Sequence, residues 1–304
     1  ALLVVAVAGS TSYGAKISLS IAGISIQPSE FVKISFVFFV AGMLYQNTSF
    51  AQVCIASVIA AIHVLILVIS RDLGAALIFF VTYVIMLYVA TGKLLYFAGG
   101  TLAGVVASVV AYHLFSHIRV RVMAWQDPLA YIDKEGYQIS QSLFAIGTGG
   151  WFGMGLYQGI PDKIPVVKQD FIFSAIAEEF GGVFALCLIL VCFSCFLMFL
   201  NIAMQMKDQF YKLVALGLGT VYAFQVFLTI GGVTKFIPST GVTLPLVSYG
   251  GSSLLCSMII FAIIQGLYIL RQDEGDSDGS KTKKGRSEKR QANGFKKAAA
   301  EELT

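Results

Sequence analysis

Charged residues are scarce in this sequence of 304 residues. They make up 12% of the chain, whereas 57% of the residues are hydrophobic and the mean hydropathy is +0.80. In soluble globular domains about a quarter of the residues are charged, because the surface must be solvated. The shortage of charge therefore excludes a soluble domain and predicts an integral membrane protein.

Histidine and cysteine, the common ligands of zinc, are also few. His113 and His117 have a spacing that suits a metal on a helix, but no acidic residue has the spacing that a zinc site needs. His63 stands alone in an apolar segment, and we interpret it as a helix-contact residue. No two cysteines form a CxxC pair and all lie in apolar segments, so we expect buried thiols. The cysteines are Cys54, Cys187, Cys192, Cys195 and Cys256.

A basic body is missing as well. The formal net charge is only +4, and the C-terminal tail, with nine basic and seven acidic residues, carries half of this surplus. Nucleic-acid binding is therefore not expected. The tail, residues 271–304, is rich in Lys, Gly, Ser and Glu, and this composition predicts a disordered segment that follows a membrane domain of residues 1–270.

What the sequence has in abundance is long apolar segments. A hydrocarbon core of about 30 Å needs about 20 apolar residues per helix. The segments predict an all-α polytopic membrane protein with seven complete transmembrane helices, at residues 31–44, 53–69, 75–90, 94–112, 183–200, 213–230 and 253–270. The apolar segment 1–8 is too short to span, has no initiator Met and lacks the basic flank of a signal peptide, so we expect a truncated N-terminus with a partial helix.

The basic tail also predicts an orientation. By the positive-inside rule it favours the cytoplasm, although the short loops are mixed. Alternation of the helices then places the long polar segment 113–179 outside. Within it, residues 136–147 have apolar positions at helical spacing and predict a short helix on the membrane surface. The glycine-rich residues 147–155 permit either close packing or a backbone nest for phosphate.

The acid at position 170 is the main candidate for chemistry. Asp170 lies in the outward segment, directly before an apolar helix that carries Glu178 and Glu179. Such a setting is expected for chemistry on a lipid-linked substrate at a membrane surface. The alternative is a structural role, in which Asp170 caps the N-terminus of the following helix.

Other polar residues sit at the ends of predicted spans. Glu30 and Lys33 are three apart on one helix face, where they can pair and brace helices, or Lys33 can meet a phosphate. Arg71 belongs to a turn that needs polar residues in any protein, yet its guanidinium also suits pyrophosphate. Arg119 and Arg121 raise the same question.

The segment 237–253 combines prolines, glycines and hydroxyls. Irregular backbone at membrane depth must be buried in protein or face water. The segment is therefore either a cavity wall, with Ser248, Ser252 and Ser253 as groups that bind sugar or phosphate, or a packed re-entrant turn.

Five blocks of the sequence, in order, resemble the SEDS family of bacterial cell-wall proteins, which includes FtsW, RodA and SpoVE. The blocks are residues 27–33, 72–74, 136–155, 170–181 and 238–253. The resemblance implies a ten-helix fold of which this chain lacks the first two helices and part of the third. Ser70 and Arg71 replace the usual Gln-Pro, and Thr229 stands where asparagine is common. The last block leans towards the division and sporulation branch.

The resemblance implies a peptidoglycan glycosyltransferase that polymerises lipid II by inverting transfer at the outer face of the bacterial cytoplasmic membrane. Asp170 matches the family's proposed catalytic aspartate, and Glu30 and Lys33 match its glutamate and lysine. Cations must offset the departing pyrophosphate. The candidates are Lys33, Arg71, Arg119, Arg121 and a bound Mg²⁺ or another divalent cation; no organic cofactor is expected.

The implied partners are lipid II, a class B penicillin-binding transpeptidase and other division or elongation proteins. Two other classes of function fit the same residues. A flippase would move lipid II through the same cavity, and a scaffold would dock the transpeptidase without doing chemistry.

Overall fold

The structure, a computed structural model, describes residues 2, 10–12, 15–21 and 24–272. The predicted N-terminal partial helix, apart from Leu2, and the predicted disordered tail beyond Gln272 lie outside these residues. The described chain is mostly helical, as predicted. Its helices are α1 (Pro28–Leu44), α2 (Phe50–Ile69), α3 (Leu73–Thr91), α4 (Leu94–Leu114), α5 (Ser116–Gln126), α6 (Tyr137–Gly149), α7 (Ile172–Gln205), α8 (Gln209–Val233) and α9 (Gly251–Gln272).

All seven predicted spans coincide with helices. Six of them, α2, α3, α4, α7, α8 and α9, are long and apolar enough to cross a membrane. Helix α1 has 17 residues, which corresponds to about 26 Å at 1.5 Å per residue, close to the hydrocarbon thickness. The predicted polytopic all-α membrane architecture is confirmed.

Local sequence accounts for several helix ends. Pro28 occupies the first turn of α1, where its missing N–H is not needed. The side chains of Ser49 and Asp72 cap α2 and α3 by accepting hydrogen bonds from backbone N–H groups. Gly92 ends α3 in the left-handed conformation, with φ of 66°.

The bundle is built around α8 and α3. Helix α8 contacts α7, α3 and α1, and α3 contacts α2, α1 and α4. His63 packs against Phe36 and Phe79 in the core, with ring centroids 5.6 and 6.3 Å away, so its predicted role in helix contact is confirmed. By contrast, α4 has no buried residue in the described part of the chain, as expected of a helix that faces lipid.

The prediction of buried thiols was wrong for two cysteines. Cys192 and Cys256 are buried, but Cys54 and Cys187 are exposed on the outside of the bundle. Both lie within helices that can span a membrane, so the surface on which they lie is one that lipid would cover. Apolar sequence shows that a helix is in the membrane but does not show which face meets protein.

Three short antiparallel strands near the N-terminus were not predicted. They are β1 (Ser10–Ser12), β2 (Ala15–Ile21) and β3 (Ile24–Ile26). Ser12 pairs with Ala15 and Ile21 pairs with Ile24, which leaves two residues for each connection. The sequence of β2 alternates polar and apolar residues, a pattern typical of a strand.

The long segment 113–179 is more helical than expected. Helix α6 confirms the predicted short helix, and α5 was not predicted. The apolar residues of α5, Ile118, Val120 and Val122, alternate with arginines and so resemble a strand. Tertiary contacts override this pattern, because two side chains of α5 bond to the chain that follows α8.

Candidate active site

Asp170 lies in the turn that leads into α7. The backbone before it is held by the segment that follows α8, since Tyr249 N donates to Lys168 O over 2.8 Å and Ser248 Oγ donates to Gln169 O. The N-cap of α7 is Phe171, and no side chain caps this end. The alternative in which Asp170 serves as a helix cap was therefore wrong.

Residues 234–250 connect α8 to α9 without regular secondary structure. A Cβ atom on Gly241 would lie 3.4 Å from Asp170 Oδ2, and Gly241 has a φ of 72°. On the other side, a Cβ on Gly74 would lie 2.1 Å from Val242 Cγ2 and 3.2 Å from Thr240 O. The segment is thus the packed re-entrant turn, and residues 240–242 pass between Asp170 and the start of α3.

Arg121 and Asp72 complete a group that we call the carboxylate cluster: Asp170, Asp72 and Arg121. Arg121 Nη1 donates to Ser239 O over 3.2 Å. The Asp72 carboxylate accepts hydrogen bonds from Ser29 Oγ and from the backbone N–H of Ala75, each over 3.1 Å. These contacts bring one end of α1, α3 and α5 to the turn before α7.

The electrostatics of the cluster favour a carboxyl that can take up a proton. Burial raises the pKa of Asp170 to about 6; the positive charge of Arg121 lowers it and the negative charge of Asp72 raises it. Burial also raises the pKa of Asp72, against the two hydrogen bonds that it accepts. Asp170 differs from Asp72 because burial and these two charges, not hydrogen bonds, set its pKa.

The predicted pair of Glu30 and Lys33 is confirmed. Lys33 Nζ lies 2.8 Å from Glu30 Oε2 and donates to Gln225 Oε1 over 2.7 Å. Gln225 Nε2 donates in turn to Thr243 O over 3.0 Å. Because Lys33 is only 2% exposed, the geometry favours the bracing role over a direct contact with phosphate.

This buried network joins the carboxylate cluster through α1. Ser29 bonds to Asp72, and the adjacent Glu30 bonds to Lys33. The charges of Glu30 and Lys33 both act on Asp72. Polar groups therefore extend from Asp72 at the start of α3 to Gln225 in the interior of the bundle.

The other candidate residues fall into two groups. Arg71 lies in the turn between α2 and α3, with φ of 65°, and its charge acts on His117, which places it beside the cluster. Arg119 is exposed on α5. The serines bond to protein groups: Ser248 accepts from Leu244 N over 2.8 Å, Ser252 accepts from Gln27 N over 3.1 Å, and Ser253 lies 2.7 Å from Thr243 Oγ1.

The glycine-rich residues 147–155 serve close packing. A Cβ on Gly149 would lie 2.0 Å from Ala177 O, and one on Gly153 would lie 2.1 Å from Glu179 O. Met154 N donates to Glu178 O over 2.9 Å and Gly182 N donates to Gly150 O over 2.8 Å. The geometry supports the packing alternative, because this segment packs against α7 and forms backbone hydrogen bonds with it.

Sequence reasoning missed Asp72, Gln225, His117 and Thr240 as members of the site. Gln225 had a usable signal, since a polar side chain inside an apolar span usually has a specific role. Asp72 belongs to one of the five blocks that resemble the family, but its neighbours in sequence predicted only a turn. Thr229 does not disturb the site: its Oγ1 donates to Val242 O over 2.8 Å and so holds the re-entrant turn.

No group of three or more His, Cys, Asp or Glu side chains that could hold a metal ion occurs within the described residues. Asp170 and Asp72 are the two carboxylates that share one cluster. Carboxylate oxygens suit a hard cation such as Mg²⁺, which keeps water and phosphate oxygens as its remaining ligands.

The bundle and the cluster together define a polytopic helical membrane protein with an acidic site at one end of its helices. The chain belongs to the cell cycle protein family of FtsW, RodA and SpoVE, whose sequence profile matches residues 1–272. The resemblance noted from five blocks is thereby confirmed.

The individual relatives include proteins named RodA and proteins named FtsW. The chain is 39% identical over 267 residues to the peptidoglycan glycosyltransferase RodA of Mycobacterium tuberculosis, an alignment that covers 83% of this chain and 57% of RodA. It is 34% identical over 280 residues to a probable peptidoglycan glycosyltransferase FtsW of Aliivibrio salmonicida, covering 86% of this chain and 68% of the relative. The chain thus spans little more than half the length of the mycobacterial RodA proteins.

Solved structures show the same fold. A chain of a peptidoglycan synthase complex superposes with a TM-score of 0.73 at 24% identity, over 90% of this chain and 77% of that one. The crystal structure of the Thermus thermophilus rod shape determining protein RodA superposes with a TM-score of 0.59 at 23% identity, over 86% of this chain and 72% of that one. The bundle therefore has the helical arrangement of these proteins.

Proposed function

We propose that this protein is a peptidoglycan glycosyltransferase that polymerises lipid II, with Asp170 as the general base. The observation that carries the proposal is the placement of Asp170: a half-buried carboxyl with a pKa of about 6, within reach of the charge of Arg121, at one end of a membrane bundle. A base works best when its pKa lies near the operating pH. The names of the relatives support the same activity.

The reaction needs one base and one electrostatic partner. A sugar hydroxyl of the acceptor attacks the anomeric carbon of the donor, and its proton passes to Asp170. A new glycosidic C–O bond forms as the bond from the anomeric carbon to undecaprenyl pyrophosphate breaks, with inversion from α to β. The pyrophosphate leaves as an anion, and Arg121, whose charge acts on Asp170, is the cation proposed to stabilise it.

A divalent cation fits the same site. Asp170 and Asp72 would hold it, and it would stabilise the charge that develops on the leaving pyrophosphate. Arg71, whose charge acts on His117 as that of Arg121 does, is a candidate to bind the outer phosphate. Arg119 is exposed and fits an outer position on the same substrate.

Partner and orientation follow from the same proposal. The fold matches a chain of a complex named for the coordination of polymerisation and crosslinking, which supports a class B penicillin-binding transpeptidase as partner. The basic tail favours the cytoplasm. Asp170 would then face the outer side of the cytoplasmic membrane, where the lipid-linked disaccharide must be polymerised.

The test is glycan-strand formation from purified lipid II, in the presence of the transpeptidase partner. Replacing Asp170→Asn should lower the rate by about 10² to 10⁴, the usual contribution of a positioned base. Asp162→Asn is the matched control, because Asp162 is an exposed acid in the same segment. Size-exclusion chromatography establishes the amount of folded protein, and the rates are compared at equal amounts.

Three outcomes separate the functions. Polymer from the parent and the Asp162 variant alone supports Asp170 as the base. Equal polymer from all three proteins keeps the polymerase but moves the base elsewhere. If no protein makes polymer, translocation of labelled lipid II in vesicles tests the flippase, and partner binding tests the scaffold.

A further inference from the structure

Two buried polar atoms at the carboxylate cluster have no hydrogen-bond partner. Among the described residues, four buried side-chain atoms are in this state: Thr82 Oγ1, His117 Nε2, Glu178 Oε2 and Thr240 Oγ1. Buried polar groups in folded proteins are nearly always paired, since an unpaired one costs free energy. Unpaired atoms that cluster beside a proposed site therefore point to a ligand.

His117 and Thr240 are each linked to Arg121. His117 is one helical turn before Arg121 on α5, and the charges of Arg71 and Arg121 both act on its ring. Arg121 Nη1 bonds to the carbonyl of Ser239, the residue before Thr240. Gly241, the residue after Thr240, lies against Asp170.

The chemistry of these groups matches a phosphate oxygen. A threonine hydroxyl and an imidazole N–H can each donate one hydrogen bond, and the nearby guanidinium of Arg121 supplies charge and further donors. Burial, then the charges of Arg71 and Arg121, lowers the pKa of His117. The ring is therefore neutral near pH 7 and can offer its N–H to an anion without adding a third positive charge.

We propose that His117 and Thr240 bind the pyrophosphate of the polyprenyl-linked substrate, each by donating a hydrogen bond to a phosphate oxygen beside Arg121. This inference rests on the proposed function and adds two binding residues to it. Neither residue takes the proton of the attacking hydroxyl, which remains with Asp170.

The test measures binding, not turnover. Undecaprenyl pyrophosphate in detergent micelles is the probe, and undecaprenol, which lacks phosphate, is the control ligand. Thr240→Val and His117→Phe should each weaken binding of the pyrophosphate by roughly tenfold, the usual effect of one lost hydrogen bond to a charged group. Neither variant should change the response to undecaprenol.

Thr82→Val is the matched control variant. Thr82 also has a buried hydroxyl without a partner, but it lies in the middle of α3. Both threonine-to-valine variants should leave the ligand-free Tm unchanged or higher, because each removes an unpaired hydroxyl. Only Thr240→Val should lose affinity for undecaprenyl pyrophosphate, and Thr240→Ser, which keeps the hydroxyl, should restore it.

The outcomes are separable from those of the proposed function. If the parent binds the pyrophosphate and both variants bind it equally well, the inference is overturned while the polymerase stands. If the variants lose affinity for lipid II but not for undecaprenyl pyrophosphate, the two residues face the sugar and the inference is again wrong. If the parent fails to bind the pyrophosphate, both proposals fall.

Discussion

Two neighbours of opposite charge act on the pKa of the Asp170 carboxyl, together with burial. Arg121 stabilises the carboxylate and Asp72 destabilises it, while burial favours the protonated acid. The balance leaves a pKa of about 6, so the group is largely ionised at neutral pH and yet basic enough to accept a proton. Neither neighbour need touch the substrate's reacting atoms to have this effect.

The pH profile should therefore respond to both neighbours in opposite directions. A base with a pKa of about 6 makes kcat/KM rise with pH through that value, because only the carboxylate accepts the proton. Asp72→Asn removes the group that raises this pKa, so the acid limb should move to lower pH. Arg121→Gln removes the group that lowers it, and the limb should move to higher pH.

The measurement is the rate of lipid II polymerisation at pH values below and above the pKa of about 6, at substrate concentrations well below KM. Lys163→Gln, a change at an exposed residue of the same segment, controls for effects of net charge. Shifts of equal sign in the Asp72 and Arg121 variants would contradict this account of the cluster.

At the scale of elements, the helix pair α6 and α7 positions the segment that carries Asp170. Gly149 at the end of α6 lies against the backbone of Ala177, and Gly181 interrupts α7 with a φ of 85°. Glu178 Oε1 accepts a hydrogen bond from Ile160 N over 3.3 Å and ties the intervening loop to α7. A side chain at the crossing would push this loop and its aspartate away.

Gly149→Ala should thus destabilise the protein and slow polymerisation. A Cβ at this position would lie 2.0 Å from Ala177 O, which is backbone and cannot rotate away, and overpacking of this kind costs about 1–3 kcal/mol. Gly147→Ala is the control on the same helix, because nothing lies within 4 Å of its Cβ. That change should be neutral or stabilising, since alanine favours a helix by about 1 kcal/mol over glycine.

Thermal unfolding in detergent compares the two variants. A lower Tm for Gly149→Ala alone agrees with the crossing described above. Equal Tm values would show that α6 and α7 can separate without loss, and that the glycines serve another purpose.

At the scale of the whole molecule, a buried ion pair links helices that are far apart in sequence. Lys33 on α1 bonds to Glu30 on the same helix and to Gln225 on α8. Gln225 reaches the re-entrant turn at Thr243. Both partners of the ion pair are needed for the stability of the bundle, because a buried charge without its partner costs free energy.

Lys33→Met should destabilise the bundle by about 3–5 kcal/mol, as expected when one partner of a buried ion pair is removed. Glu30, which is 7% exposed, would lose the ammonium group that lies 2.8 Å from its carboxylate. The double variant with Glu30→Gln and Lys33→Met should recover part of the loss, because no lone charge remains. Lys93→Met is the control, since Lys93 is exposed.

Thermal stability of the parent, of these three variants and of Glu30→Gln alone, all measured in the same detergent, tests the coupling. Additive effects of the two single changes in the double variant would show that Glu30 and Lys33 do not act as a pair.

Much of the fold could be predicted from the pattern of apolar and polar residues along the sequence. The seven spans, the helix α6 and the pair Glu30 and Lys33 depend on residues close in sequence, and the structure confirms them. Helix α5 and strand β2 escaped prediction, since a few alternating residues fit either kind of element. For the site, Asp170, Arg121 and Lys33 could be named as candidates, whereas Asp72, Thr240 and the actual contacts could not.

The sequence by itself determined that the protein lies in a membrane and where its seven apolar spans lie along the chain. Hydropathy and capping are sums over neighbouring residues, and neighbours in sequence are always neighbours in space. Only the tertiary structure decided that Asp170, Asp72 and Arg121 form one cluster beside Gly241. These residues come from separate elements, and the packing of α1, α3, α5 and the re-entrant turn brings them together.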